Sequence, residues 1–287
     1  MLIRDDAPDD EIARWLEEDR LWSSYALCDL DPPHRAAARY YLASDAVDAP
    51  WPAGRRGWCL AFMPGPFSNV LVGGHPDAAR AALAAAQLLP PDTVFMVPCA
   101  YPLGQDSDPT APGPYLAALR ERYRAQSPHL MLRMALPPAA PPPVARPLAQ
   151  GARLSLLQPS DAAELDALYD AEPYRAFTPA MLHNGVYYGV RQGGRLVAAA
   201  GTHIVSPRWS LAMIGNVYTA PLHRGRGYAQ VTTAAVAHHL RALRGCRDVA
   251  LNVVAANTPA VRAYQRVGFR AYTRFWEGQA TLLTPPP

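Results

Sequence analysis

The chain has 287 residues, half of them apolar and 18% charged, which is enough to bury a core and too little charge for a disordered chain. Its length suits two domains rather than one. All 27 basic residues are arginine, so Schiff-base catalysis and a lysine-bearing phosphate loop are excluded, and the net charge is +3.

The first residues, "MLIRDDAPDDEIARW", are acidic and carry no long apolar run, so no signal peptide is expected there. A helix is expected over "DEIARWLEEDRLW" and a second over "DAARAALAAAQLL". Strands are expected at "ARYYLA", "WCLAFM", "NVLVGG", "TVFMVP" and "LMLRMAL". "PPAAPPPVARP", Pro137 to Pro147, is the clearest seam. Clustered prolines favour an extended backbone without donors and make a semi-rigid linker. The expected domains are therefore 1–136 and 151–287, joined by a Pro-rich linker at 137–150.

The second half alternates more clearly. A strand at 152–158 precedes a helix capped by Ser160-Asp161 and running to about Tyr169. Strands at 185–191 and 195–206 flank the turn signal "QGG", and "LAMIGNVYTA" is a third strand, ended by Pro221. A helix is expected from Tyr228 to Leu243, then the strand "DVALNVVAA", the helix "TPAVRAYQRV" stopped by Gly268, and last strands in "FRAYTRFWEG" and after. This order is that of a mixed sheet with helices on its faces, an α/β (α+β) fold. The first half echoes part of it without a strict residue-level repeat.

Charge divides unevenly. Residues 1–150 hold 13 Arg against 17 acidic residues, whereas 151–287 hold 14 against 7. No carboxylate side chain stands between Glu172 and Asp248. A basic stretch without acids suits a polyanionic ligand, and equally a solvated positive face. Within it lies "HRGRGYA", His223 to Ala229, where a strand hands over to a helix. The first N–H groups of a helix lack internal partners and the dipole is positive there. Gly225 and Gly227 let backbone approach an anion closely, while Arg224 and Arg226 add charge. Glycine turns at helix starts are also common without a ligand. About 30 residues on, "NTPAVRAYQRVGF" places Thr258-Pro259 at a helix start and Gly268 at its end. Ala260, Val261, Tyr264 and Val267 share one face, and Tyr264 reads equally as a core tyrosine whose hydroxyl needs a partner.

Together the two motifs resemble the GNAT superfamily of acyl-CoA-dependent N-acyltransferases over about residues 151–287. The matching residues are Arg224, Gly227 and Ala229 in "VYTAPLHRGRGYA", then Asn257, Ala260, Tyr264, Gly268 and Phe269. The resemblance implies a twisted mixed sheet and acetyl-CoA as co-substrate, with no metal. Backbone amides from Gly225 to Ala229, including Arg226 and Tyr228, would cradle the pyrophosphate. The strand of Val217, Tyr218 and Thr219 would splay from that of Leu251 and Val253 and hold the pantetheine arm, with Asn257 bonding it. A backbone N–H of the Val217 strand would hold the acyl oxygen. Tyr264 would protonate the departing thiolate. The implied activity is transfer of an acetyl group to an amine by direct attack; the alternative is a non-catalytic acyl-CoA sensor with the same site.

The general base is open. His203 in "AGTHIVS" has a base suited to neutral pH and reads equally as a structural histidine. Glu172, His183 and Asn184 are placed to line the acceptor side, Asn252 reads as structural or acceptor-facing, and His238-His239 as surface groups. "RGRG" alone, without interleaved aromatics, does not make a nucleic-acid site. The expected partner is a small-molecule or peptide amine, with neither nucleic acid nor membrane. Cys28, Cys59, Cys99 and Cys246 form no C-x-x-C pair and read as free thiols. With no apolar run near 18 residues, a cytoplasmic location is expected. Residues 1–136 are expected to be a degenerate GNAT-like domain that lost its CoA site, since "NVLVGGHPDAARAALAAAQLL" repeats strand, turn and helix without R-x-x-G-x-A. An unrelated α/β domain is the other reading. Packing on the active domain, walling its acceptor cleft and homodimerisation are its three open roles.

Overall fold

The computed structural model describes residues 1–45, 54–64, 68–86, 90, 92–100, 112–138, 147–170 and 176–283. In chain order the first elements are β1 (Leu2–Arg4), α1 (Asp9–Glu17), α2 (Ser24–Cys28), β2 (Ala38–Ser44), β3 (Arg56–Phe62) and β4 (Asn69–Gly74). There follow α3 (Pro76–Ala85), β5 (Thr93–Pro98), α4 (Gly113–Arg120) and β6 (Tyr123–Ala135). The same plan then recurs as β7 (Ala152–Leu156), α5 (Ala162–Tyr169), α6 (Met181–Asn184), β8 (Tyr188–Gln192), β9 (Arg195–Ser206) and β10 (Leu211–Thr219). It ends with α7 (Tyr228–Ala242), β11 (Asp248–Val254), α8 (Thr258–Val267) and β12 (Arg270–Leu282). Two compact units result, one of Met1–Arg133 with Tyr272–Pro287, the other of Met134–Ala271.

In the first unit the strand order is β1-β2-β3-β4-β5-β12-β6. The first three neighbours pair antiparallel and β4 with β5 parallel. An Ala-rich face of α3, Ala78, Ala79 and Ala82, packs with Val70, Val72, Phe95 and Val97, so small side chains bring helix and sheet close. Expected helix residues 10–22 divide: α1 ends at Glu17, and the Asp19 carboxylate accepts the Trp22 N–H (2.9 Å), forming a side-chain turn before α2 restarts. Strand β1 and helix α4 had no expectation, and β6 runs longer than "LMLRMAL". Residues 87–89 of the second expected helix lie outside the described residues.

In the second unit β7, β8, β9 and β10 pair antiparallel in order, and β10 pairs parallel with β11. A two-residue turn, Gly193-Gly194, joins β8 to β9 with Gln192 facing Arg195. One apolar cluster gathers Leu165, Tyr169, Phe177, Leu182, Tyr187 and Tyr218; another gathers Val190, Val197, Ala198, Tyr228 and Val231 under α7. Val197 and Ala198, consecutive in β9, share the second cluster where the register with β8 shifts between Val190 and Arg191.

The second compact unit differs from the expected limits 151–287 at both ends. The unit begins at Met134, and Leu136 donates to the Val249 carbonyl (2.9 Å). Tyr272–Pro287 belong to the first unit, where β12 pairs antiparallel with β5, from Phe275 opposite Pro98 to Ala280 opposite Thr93. An alternating pattern predicts a strand but does not name its sheet. Of the linker, 139–146 lie outside the described residues, while the carbonyls of Leu136 and Pro137 accept from Arg241 (2.9 and 2.8 Å).

Candidate active site

The site begins where two parallel strands part. β10 and β11 are in register from Leu211 opposite Asp248 to Ile214 opposite Leu251, and no further. The next residues of β10 bulge: the register with β9 shifts between Gly215 and Tyr218, and Asn216 has φ 51°, a left-handed conformation. From Gly215 to Thr219 the β11 side of β10 therefore has no ladder partner among the described residues. An extended ligand bearing amides can pair with such an edge.

Beyond β10 the chain makes a short helical turn at Pro221–His223 and enters α7 through Gly225 (φ 77°) and Gly227 (φ 79°). The first intrahelical bond is from Val231 N–H to the Gly227 carbonyl, which leaves the Tyr228, Ala229 and Gln230 N–H groups without helical acceptors. No side chain caps this helix and no acidic residue lies in its first turn. A Cβ added at Gly225 would meet nothing within 4 Å, so there is room in front of the loop. Arg224 is held by its Nε bond to the Thr219 carbonyl (3.1 Å) and lies over the Tyr218 ring. The Thr219 hydroxyl is buried with no hydrogen-bond partner among the described residues. These features fit a phosphate-bearing, amide-bearing ligand such as acetyl-CoA. Two of the expected binding residues, Tyr218 and Tyr228, turn their rings into the core, leaving only their backbone for a ligand. Val217 and Thr219 are half-buried on the unpaired stretch.

Asn257 uses its side-chain oxygen to cap α8 through the Ala260 N–H (3.3 Å). Tyr264 on α8 is buried against Phe269, ring centroids 6.3 Å apart, and its hydroxyl makes no hydrogen bond among the described residues. Burial pushes its phenol well up, so it holds its proton throughout the neutral range.

His203 lies over Gly215; a Cβ there would come within 2.1 Å of its Nε2, so glycine is what admits the ring. Burial lowers its pKa, against a hydrogen bond to Asn216, and the imidazole is neutral at pH 7. Asn216 continues the network: its Nδ2 donates to the Tyr187 hydroxyl (2.9 Å), which donates to the Thr202 carbonyl (3.0 Å), while the Tyr169 hydroxyl donates to the Asn216 carbonyl. The bulge is thus bonded on both its side chain and its backbone. Asn216, Tyr169, Tyr187 and Gln192 had no expectation, though glycine followed by asparagine inside an apolar strand is a bulge signal.

The remaining candidates scatter. His183 and Asn184 are exposed on α6, and Asn252 is half-buried on β11. Glu172 lies outside the described residues. His238 is exposed, but His239 is not a plain surface group: its Nδ1 is 3.2 Å from the Tyr188 hydroxyl and burial lowers its pKa. Among the described residues no cluster of His, Cys, Asp or Glu could hold a metal, and no helix is long and apolar enough to cross a membrane.

Residues 154–269 match the model of the acetyltransferase (GNAT) family. The chain has the fold of the GNAT superfamily of acetyltransferases. A GNAT-family structure from Novosphingobium aromaticivorans is 27% identical, with TM-score 0.53 over 79% of this chain and 89% of its own. A tandem GNAT protein from the clavulanic acid biosynthesis pathway is 17% identical and covers 100% of this chain and 99% of its own, with TM-score 0.59. A Drosophila protein covers 99% and 98%, at 16% identity and TM-score 0.66. These last two share the fold, and they share it over both units. No curated protein matches the chain.

The GNAT loop has a counterpart in the first unit. There a single residue, His75, separates β4 from α3. The His75 imidazole accepts the Asp77 N–H (3.3 Å), and the Asp77 carboxylate lies in the first turn, paired with Arg55 (2.9 Å). That helix start is already capped and already carries an anion.

Proposed function

We propose that the second unit transfers an acetyl group from acetyl-CoA to a small-molecule or peptide amine by direct attack, with Tyr264 as general acid. The observation that carries this reading is the parting of β10 from β11 after Ile214–Leu251, directly before an uncapped, acid-free helix start. The bound co-substrate supplies an activated thioester carbonyl. First-turn N–H groups, with Arg224 and Arg226, hold its phosphates, and the unpaired backbone of Val217 and Thr219 aligns the pantetheine amides. Thr219 offers its buried hydroxyl to the same ligand. A backbone N–H at the bulge faces the acyl oxygen. His203, neutral and hydrogen-bonded to Asn216, removes the proton that the attacking amine must lose. Tyr264 keeps its proton until the sulfur leaves and then donates it. The first unit, with Asp77 where phosphate would lie, is proposed as a degenerate copy without a CoA site.

Thiol release from acetyl-CoA over a panel of amines tests the reading. Tyr264→Phe keeps the ring in place and removes the hydroxyl, and kcat should fall by about 10²-fold with CoA affinity unchanged. Near-normal turnover would leave Tyr264 a packing residue. CoA binding without thiol release on any amine would favour an acyl-CoA sensor.

A further inference from the structure

Gln192, the last residue of β8, extends its side-chain oxygen into the anion loop. That one atom is 3.1 Å from His223 Nδ1, 3.1 Å from an Arg226 terminal nitrogen and 3.1 Å from the Tyr228 hydroxyl. The three groups lie in the short turn, between the two glycines and at the first residue of α7. Besides these contacts, Arg224 is tied to the Thr219 carbonyl (3.1 Å), and Gly225 and Gly227, both at positive φ, are the backbone positions that only glycine adopts readily. Resting on the acetyl-CoA reading above, we propose that Gln192 is the positioning residue of the diphosphate loop, and that its being an amide rather than a carboxylate keeps the loop receptive to an anion.

The first unit supplies an internal comparison. Ser44 ends β2 opposite Leu2 of β1 and Arg56 of β3; Gln192 ends β8 opposite Ala152 of β7 and Arg195 of β9. The two occupy the same place in the repeated plan. Where the plan has a long glycine loop, it has a glutamine; where it has only His75, it has a serine too short for such a reach. In the first unit the tie from hairpin to helix start is made by charges instead. Arg55 bonds Asp45 (2.7 Å) and Asp77 (2.9 Å), which puts two carboxylates near the start of α3. A carboxylate at 192 would satisfy Arg226 and Tyr228 equally well but would neutralise Arg226 and repel phosphate. Glutamine accepts the same donors without charge.

Full-length protein is assayed with two donors, acetyl-CoA and S-acetylpantetheine, which lacks the diphosphate. Gln192→Leu should raise the Kd for CoA by about tenfold, the loss of roughly one net hydrogen bond, and the KM for acetyl-CoA in step, with kcat held. Turnover of S-acetylpantetheine should not change. Gln192→Glu, which retains the acceptors, should weaken CoA as much or more and also spare the short donor. Equal loss on both donors would assign Gln192 a merely structural role and overturn the proposal, as would wild-type CoA affinity in Gln192→Leu. A wild-type protein that binds no CoA would overturn the functional reading and this inference together, whereas CoA bound equally by wild type and both variants would overturn this inference alone.

Discussion

Asp29 is 5% exposed, its carboxylate makes no hydrogen bond among the described residues, and burial pushes its pKa up to about 7. An ordinary aspartate in the unfolded chain titrates near 3.9. The folded first unit therefore prefers the protonated acid, and its stability is fully present below about pH 4. Between pH 4 and 7 the unfolded chain ionises while the folded one does not, and stability falls by about 1.4 kcal/mol per pH unit. Across the window the loss is about 4 kcal/mol, an upper figure because the group retains slight contact with water. Asp29→Asn keeps the shape and removes the titration. Thermal unfolding of the two proteins should coincide near pH 4 and diverge with rising pH, the variant melting about 10 °C higher at pH 8 for a unit of this size. The other carboxylates that burial raises, Glu18, Asp19 and Glu277, are common to both proteins and cancel in the difference. Parallel melting curves from pH 4 to 8 would show that Asp29 is paired or hydrated, and would refute the argument.

Three further outcomes test the site. Gly227→Glu places a side chain at φ 79° and a charge at the phosphate position; calorimetry should find CoA binding lost in a folded protein, because strain of about 1–2 kcal/mol is small beside total stability. Retained CoA affinity would move the binding site elsewhere. If His203 is the base, its lowered pKa sets the acid limb of the kcat/KM profile below about pH 6.5, and His203→Ala abolishes that limb; an unchanged profile removes His203 from the chemistry. Titration should find one CoA per chain, and two sites would show that the first unit still binds it.

The second unit was legible because its elements are local events. Pro221, the glycines at 225 and 227, Thr258-Pro259 and Gly268 each punctuate the chain where the helices and strands in fact stop or start. The site's supporting contacts were not local. Gln192 reads as part of a Gly-Gly hairpin, and its three partners lie 31 to 36 residues on, a separation that no periodicity encodes. Tyr218 is expected on the binding strand and turns its ring into the core, whereas Tyr169 and Tyr187 carry no site expectation; the register break at Asn216 is what brings their two hydroxyls to β10. The placement of β12 was illegible for a related reason, since strand pairing is decided by which edge is free.

On the proposed reading, the two units differ in two features that bear on a ligand site. In both, the strand before the helix pairs in parallel with its neighbour for only part of its length: Asn69 to Leu71 of β4, Leu211 to Ile214 of β10. In the first unit the residue just past that pairing, Val72, has its carbonyl taken by the Trp22 indole N–H (2.8 Å). Trp22 is held in turn by Phe275, edge-on at 5.4 Å, and by the buried Arg133 guanidinium, which stacks on its ring at 4.8 Å and donates to its carbonyl. A side chain of the protein thus supplies the donor that an extended ligand would otherwise bring to this strand. In the second unit the corresponding stretch begins at Gly215, which has no side chain, and runs through a bulge held from β9 and α5 rather than from β11. Filling the strand edge with Trp22 and closing the helix start with His75 and Asp77 are separate changes, and either one is unfavourable to the same ligand: the first competes for backbone hydrogen bonds, the second for the positive end of the helix. Their coincidence in one unit and joint absence from the other is what favours a single working site per chain.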